Sequence, residues 1–340
     1  MTQLSEAGPI TRGPSRAWSK LLLVVALLLV AIALSLALGS RSIPLAHLLD
    51  WQAAGDDQRI IRELRLPRTL IGLLAGVALG LAGALMQGVS RNPIADPGLL
   101  GINAGSALAV VVAITWFDVT SPSRYVWFAF LGGVLAAGVV YGVGSFGIDG
   151  GSPLKLTLVG AALTAVVSSF ITLILLSNTG SLAQFRFWQV GSLAGRDLGM
   201  VRILWPFVLA GIVLSFASAR GLNLLALGDD LARGLGQSVA GMRLICLTAV
   251  VLLSGAATAL AGPIVFVGLV APHIARHFAG PDYRWIMTYT FFVGPALLLA
   301  ADVAGRLVVP PGELEAGLAV ALIGAPLMIV LVRRLRLGGL

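Results

Sequence analysis

Charge is what this sequence lacks most. Asp, Glu, Lys and Arg make up 11% of its 340 residues, where a soluble chain carries about a quarter. So little charge cannot cover a water-facing surface of this size, and a soluble globular protein is excluded. Cysteine is nearly absent too: the single Cys246 rules out a disulfide framework or a thiolate metal cluster within the chain. Of three histidines, His273 and His277 stand four apart in "HIARH". The Glu of H-E-x-x-H is missing, so a zinc-protease reading fails, and a helix end near lipid headgroups accounts for both. No G-x-x-x-x-G-K-[ST] is present, so the chain does not bind ATP phosphates in P-loop fashion. Neither an intramembrane carboxylate pair nor a Ser beside a His or Lys base occurs, which disfavours a membrane enzyme. The scarcity of charge deep in the apolar runs also counts against a proton- or sodium-driven carrier, whose ion path carboxylates usually mark. No metal and no cofactor is called for.

Apolar residues, by contrast, make up 58% of the chain and mean hydropathy is +0.96. Bounded by Pro, Gly and charge, apolar runs fall at roughly 21–40, 67–89, 98–117, 125–146, 154–177, 202–219, 239–262, 263–279, 286–308 and 314–333. Crossing a bilayer takes about 20 residues as a helix, and backbone groups in hydrocarbon must be satisfied internally. The fold expected is therefore all-α and polytopic, with about ten transmembrane helices. The first run follows a basic segment (Arg12, Arg16, Lys20) as a signal peptide would, but its length and the many later spans indicate a retained helix. An even count puts both termini on one side, and the basic N-terminus and the tail "RRLRLGGL" assign that side to the cytoplasm. The expected organisation is a cytoplasmic segment 1–20, one transmembrane domain 21–335 and a tail 336–340.

Glycine is patterned. Gly72, Gly76 and Gly80 form a stripe on the second span, and Gly138 and Gly142 repeat it on the fourth. Such stripes let helices approach closely; a pore lining is the less common alternative. In "RNPIADPGLLG", Pro93 ends one helix, while Asp96 and Pro97 suit the N-cap and first position of the next. Residues 91–101 therefore form a tight cytoplasmic reversal.

The basic residues are placed unusually. On this topology Arg41, Arg59, Arg62, Arg65, Arg68, Arg124, Arg186, Arg196, Arg202 and Arg306 lie outside, ten of 23 in all, so the positive-inside bias is weak. Either the topology is inverted or the outer arginines serve a purpose: pairing carboxylates of a docking partner, or contact with lipid headgroups. They are too scattered, and the net charge of +8 too dispersed, for nucleic acid. Asp302 and Arg306, four apart, form an intrahelical pair, unless Arg306 points outward to a partner. Two hydrophilic segments remain. The loop 220–237 contains "ALGDDLARGLG", a short helix with acids first, an Arg last and leucines to present. "AQFRFWQVGSLAGRD", 183–197, has the composition of an interfacial helix and turn.

The motifs "RLPRTLIGLLAG", "ALMQGVSRNPIADPGLLGINAG", "LNLLALGDDLARGLG", "GPIVFVGLVAPHIAR" and "ADVAGRLVVPPGELEAGLAVALIGAPLMIVLVRR" run in order through almost the whole chain. Together they resemble the FecCD-type permease subunits of type II ABC importers for iron-siderophores, haem and vitamin B12. "QFRFWQVGSLAGRD" and "VVPPGELE" are most similar to the ferric-enterobactin-type branch. The resemblance implies a non-catalytic subunit of the cell membrane, ten helices long, paired with a second permease that in enterobactin-type systems is a different chain. Two ATPase subunits inside, an extracytoplasmic binding protein, a ferric-siderophore substrate and membrane lipid complete the set of partners. It also implies that Leu224, Leu225, Leu227, Gly228, Asp229, Asp230, Ala232, Arg233 and Gly236 seat in the ATPase. Arg62, Arg65, Arg68 and Arg306 would meet acids of the binding protein. Asn92, Pro93, Asp96 and Pro97 would form a corner near the inner gate. Met86, Gln87, Asn103, Ser106, Ser168, Ser169 and Thr172 would line the path. The second proline of "PPGELE" departs from the family pattern. Alternatives are an importer for haem or vitamin B12, an ATP-independent carrier, or a membrane enzyme or scaffold.

Overall fold

The structure is a computed structural model, and it describes residues 14–39, 43–44, 55–119, 121–146, 152–308 and 312–337. Expectations that fall on Arg12, Arg41, Pro310, Pro311 and the last three residues lie outside it. Its helices are α1 (Pro14–Ala37), α2 (Asp56–Ile60), α3 (Leu66–Ser90), α4 (Ile102–Phe117), α5 (Pro122–Gly144), α6 (Pro153–Ser177) and α7 (Thr179–Gln189). After these come α8 (Leu198–Ala226), α9 (Asp229–Gly234), α10 (Val239–Ala261), α11 (Val267–Ala279), α12 (Tyr283–Val308) and α13 (Ala316–Leu337). A π-helical turn, Ile61–Arg65, joins α2 to α3, and a 3-10 turn, Pro97–Leu100, precedes α4. No strand occurs among the described residues. Seven helices are long and apolar enough to cross a membrane, with Ile102–Phe117 and Ala316–Val330 as shorter apolar ones. Each of the ten predicted apolar runs falls on a helix.

Local chemistry fixes where helices begin. Ser152, Asn178, Asp197 and Ser238 each accept a backbone N–H from three residues on, and Pro67, Pro122 and Pro153 occupy first-turn positions where a missing N–H costs nothing. Tertiary placement then follows side-chain size. Helix α3 is the central rod, buried along nearly its whole length and packed on α12, α10, α11 and α8. Its glycine stripe is the seat of α12: a Cβ on Gly76 would lie 2.4 Å from Pro295 Cα, and one on Gly80 3.0 Å from Thr290 Cγ2. Gly83 meets α11, where an added Cβ would sit 1.8 Å from the Gly268 carbonyl oxygen.

The second predicted stripe does not pack in this way. Gly138 and Gly142 are exposed, and a Cβ on either meets nothing within 4 Å. Helix α5 makes its close approach one to two turns earlier, where Gly132 and Gly133 lie against Gly105 and Ser106 of α4. Small-residue spacing marks a face that permits contact, and only the neighbour decides whether contact occurs.

Three boundaries also move. Residues 220–226, read as loop, continue α8, because Leu222 and Leu225 are buried against the bundle and Asn223 bridges to Asp282 and the Tyr283 amide. The break after α10 is wider than Gly262-Pro263: the chain is unwound to Phe266, with positive φ at both Gly262 and Phe266. The 183–197 segment forms α7, which begins earlier at Thr179, and a turn; Phe185 and Trp188 stack on each other inside the fold, while Leu182, Arg186 and Phe187 are exposed.

Because α3 has no room for side chains on its α12 and α11 faces, Gly83→Ala is expected to cost about 1–3 kcal/mol. Thermal melting of the detergent-purified protein should register it as a lowered midpoint, with Gly138→Ala unchanged as the control. Equal midpoints for the two variants would remove α3 as the close-packed centre.

Candidate functional site

Charged side chains in this apolar bundle gather at its two ends. At the first end, α3 and α12 bring Arg68, Asp302 and Arg306 together from 234 residues apart. Arg68 donates to Asp302 through Nε (3.1 and 3.0 Å) and Nη2 (2.8 Å), and through Nη1 to Glu313 (2.6 Å). Arg306 donates to the same Asp302 at 2.6 Å, to the carbonyls of Ser35 and Leu38 at 2.9 Å each, and to Ser35 Oγ at 2.9 Å. Ser35 in turn shares a 2.8 Å hydrogen bond with Thr69. Two guanidiniums thus face two carboxylates, which is what burial of charge requires.

This geometry corrects the outward-facing picture of the arginines. Arg68 and Arg306 are 8% and 3% exposed: Arg68 is held inward by Asp302 and Glu313, partners that sequence distance concealed, and Arg306 by Asp302 one turn before it. Arg65 is buried as well and donates to the Leu36 carbonyl at 2.7 Å, whereas Arg62 is exposed. In an unbroken α-helix, residues spaced by three share a face. The π turn over Ile61–Arg65 breaks that register, and such turns recur at functional sites. The intrahelical Asp302–Arg306 pair read from the sequence is present. Around it opens a cavity of about 510 Å³, lined among others by Glu63, Arg65, Arg68, Arg196, Arg306 and Glu313. Sequence reasoning gave Arg196 no specific role; it donates to the Tyr125 hydroxyl at 2.6 Å.

At the opposite end, the reversal and the short helix meet. Asp96 caps the Pro97–Leu100 turn by accepting from the Gly98 amide at 2.7 Å, and α4 starts only at Ile102, after Gly101 in the left-handed region. Burial raises the Asp96 pKa, and the Gly98 amide opposes the rise. Asn92 accepts from the Ile94 amide, a local turn bond, and Asn92 and Pro93 are exposed. Helix α9 follows Gly228, whose φ of 112° favours glycine. Leu231 and Leu235 are 61% and 62% exposed, with Leu227 beside them. Not all the residues read as a presented surface serve as one: Leu225 and Ala232 are buried and Leu224 is half-buried. Asp230 and Arg233 pair on the exposed side at 2.9 Å, and Gly236 closes the segment at φ 82°. Asp229 is engaged twice, by Arg91 at 2.5 Å and Arg243 at 2.8 Å. Neither arginine was singled out from the sequence, although Arg91 opens the quoted "RNPIADPGLLG".

The path residues divide. Met86, Gln87 and Ser106 are buried between helices. Gln87 bonds Arg276, and Ser106 donates to the Ala129 carbonyl. Asn103 accepts from Thr258. These four are occupied within the bundle, while Ser168, Ser169 and Thr172 lie on the exposed face of α6.

The sequence pattern of the FecCD transport family matches residues 27–334. The chain is 47% identical over 317 residues to the ferric enterobactin transport system permease protein FepD of Escherichia coli, covering 92% of this chain and 94% of that one. It is 36% identical over 320 residues to the hemin transport system permease protein HmuU of Yersinia pestis, covering 91% and 94%. A solved structure described as an inward-facing conformation of a metal-chelate type ABC transporter superposes with a TM-score of 0.81 at 28% identity, over 93% of this chain and 99% of that one.

Asp302→Asn would leave two buried guanidiniums without their common carboxylate, at an expected cost of about 3–5 kcal/mol. The melting temperature of the purified protein should fall clearly, and fall much less for Glu313→Gln, whose side chain is partly solvated. Wild-type melting of Asp302→Asn would mean that the cluster does not hold the fold.

Proposed function

The chain belongs to the FecCD transport family, and from that premise we propose that it is a permease subunit of an ATP-driven importer for a ferric siderophore of the catecholate type. The observation that carries the substrate is its identity to the ferric enterobactin permease, higher than to the hemin permease. Haem import is the second reading, and the hemin relative is its ground.

In this proposal the end bearing Asp302 faces outward and the end bearing α9 faces the cytoplasm, with both termini cytoplasmic in the inner or plasma membrane. A binding protein delivers its cargo to the outer face. Arg62 there is exposed, above a cavity whose walls hold the internally paired Arg68 and Arg306, and it is the cation we place against acidic lobes, where it speeds encounter. At the other face α9 offers Leu231 and Leu235 to a groove on an ATPase subunit. Two such subunits hydrolyse the ATP, and this chain has no catalytic step of its own. The path runs along the axis shared with a second permease of different sequence, where Ser168, Ser169 and Thr172 provide a small, weakly polar lining. Such a lining lets a large chelate pass without being trapped, and closure of the ATPases switches access from one side to the other.

Uptake of radiolabelled ferric siderophore, haem and cobalamin by cells deleted for this chain tests the reading. Ferric-siderophore uptake alone should be lost, restored by the wild-type chain, and restored about tenfold less well by equally expressed Arg62→Glu. Loss confined to haem uptake would replace the substrate, and siderophore uptake that persists without the partner ATPase would end the ABC reading.

A further inference from the structure

Helix α9 and the 91–101 reversal are separate in sequence, yet one carboxylate joins them. Asp229, the first residue of α9, receives Arg91 on one oxygen and Arg243 on the other. Arg91 is the residue immediately after α3, and Arg243 lies in the second turn of α10. The short helix is therefore tied at its start to two rods of the bundle core.

Three further observations single this tie out. Arg91 adopts φ 51°, a left-handed conformation that costs an L-residue about 1 kcal/mol or more and that glycine would adopt more cheaply. It is the left-handed C-cap of α3, and from there its side chain is directed to Asp229. Its guanidinium also lies against the hinge: a Cβ on Gly228 would be 3.8 Å from Arg91 Nη1. Finally, α9 has little else to hold it. Of its residues only Ala232 is buried, Asp230 and Arg233 pair with each other at the surface, and the leucines beside it project away.

Arg91 also borders a cavity of about 280 Å³ that it shares with Gln87, Pro93, Ala226, Arg276 and Tyr283. Across that cavity Arg276 of α11 bonds Gln87 of α3 and, at 3.4 Å, the Tyr283 hydroxyl of α12. The end of α3 is thus bound to α9 through Arg91 and to α11 through Gln87, and Arg276 reaches on from there to α12. The space beside it leaves room for displacement.

The geometry points to Arg91 and Arg243 as positioning residues that carry movement of α9 to the ends of α3 and α10, with Asp229 as the shared coupling point. Pushing α9 pulls these charged pairs along with its one packed residue, Ala232. Charge-assisted hydrogen bonds hold direction as well as distance, so the push arrives at the reversal that starts α4. This role rests on the importer reading above, because it needs a partner that moves α9.

The test uses the complete transporter reconstituted in proteoliposomes with its binding protein, and reads ATP hydrolysed per chelate delivered. Arg91→Ala and Asp229→Asn are each expected to raise that ratio about fivefold or more while ATP hydrolysis continues. Arg91→Lys, which keeps one donor, should fall between Arg91→Ala and wild type. In the Asp229→Asn background Arg91→Ala should add nothing, since its partner is already gone. A ratio unchanged in Arg91→Ala, or an Arg91→Ala effect of equal size with and without Asp229→Asn, overturns the role. If Arg91→Ala does not assemble, the same comparison of Arg91→Lys in the two backgrounds decides. Wild-type proteoliposomes that deliver chelate without ATP would refute the importer reading itself, a distinct result.

Discussion

One buried carboxylate organises an end of this bundle. Asp302 accepts from Arg68 of α3 and Arg306 of its own helix. Two helices meet at Asp302 directly, and the arginines extend the tie to the end of α1 and, through Glu313, to the lead-in of α13. Isolated, any of these charges would be costly inside an apolar protein; together they balance. Because the members are interdependent, the register of α3 against α12 is fixed there before any packing is counted. The glycine seat of Gly76 and Gly80 then brings the two rods into contact along their length.

The two ends of α3 differ in the kind of electrostatics they use. At Asp302 the carboxylate and the Arg306 guanidinium are fully enclosed, so breaking one contact strands the others. Around Asp229 the arginines are partly solvated, 42% exposed for the Arg91 side chain, and water can replace a lost contact at modest cost. A fixed end and a compliant end on the same central rod suit a subunit that must hold one surface and respond at another. Helices α6 and α1 complete the picture at the periphery, with leucines such as Leu158, Leu176 and Leu22 turned outward.

Much of this was legible in the sequence. Ten apolar runs gave ten helices, since hydrocarbon leaves the backbone no other choice, and the Asp302–Arg306 pair followed from a spacing of four. The family was carried by long ordered motifs. What stayed hidden has a common cause. Arg68 with Asp302, and Arg91 with Asp229, are pairs separated by 234 and 138 residues, and no local rule connects them. The π turn before α3 rotated Arg62 away from Arg65 and Arg68, a change of register invisible to residue spacing. Gly138 and Gly142 carried the same signature as Gly72 and Gly76 but had no neighbour to meet. Among the leucines of 224–235, exposure depended on α8 continuing to Ala226, which the charged composition had disguised.

Where α3 crosses α12 at Gly76, no side chain lies between the two main chains. Gly76 abuts Pro295 and Gly294, and Gly83 abuts the α11 main chain at Gly268. Side chains elsewhere can hop between rotamers and absorb a shift, but main chain against main chain has no such slack. A one-turn slip would drive a Cβ into a carbonyl, so shear along this seam is forbidden while rotation of the joined pair as a unit is not. The α3–α12 pair is in effect the keel of the subunit, and whatever changes shape must turn about it.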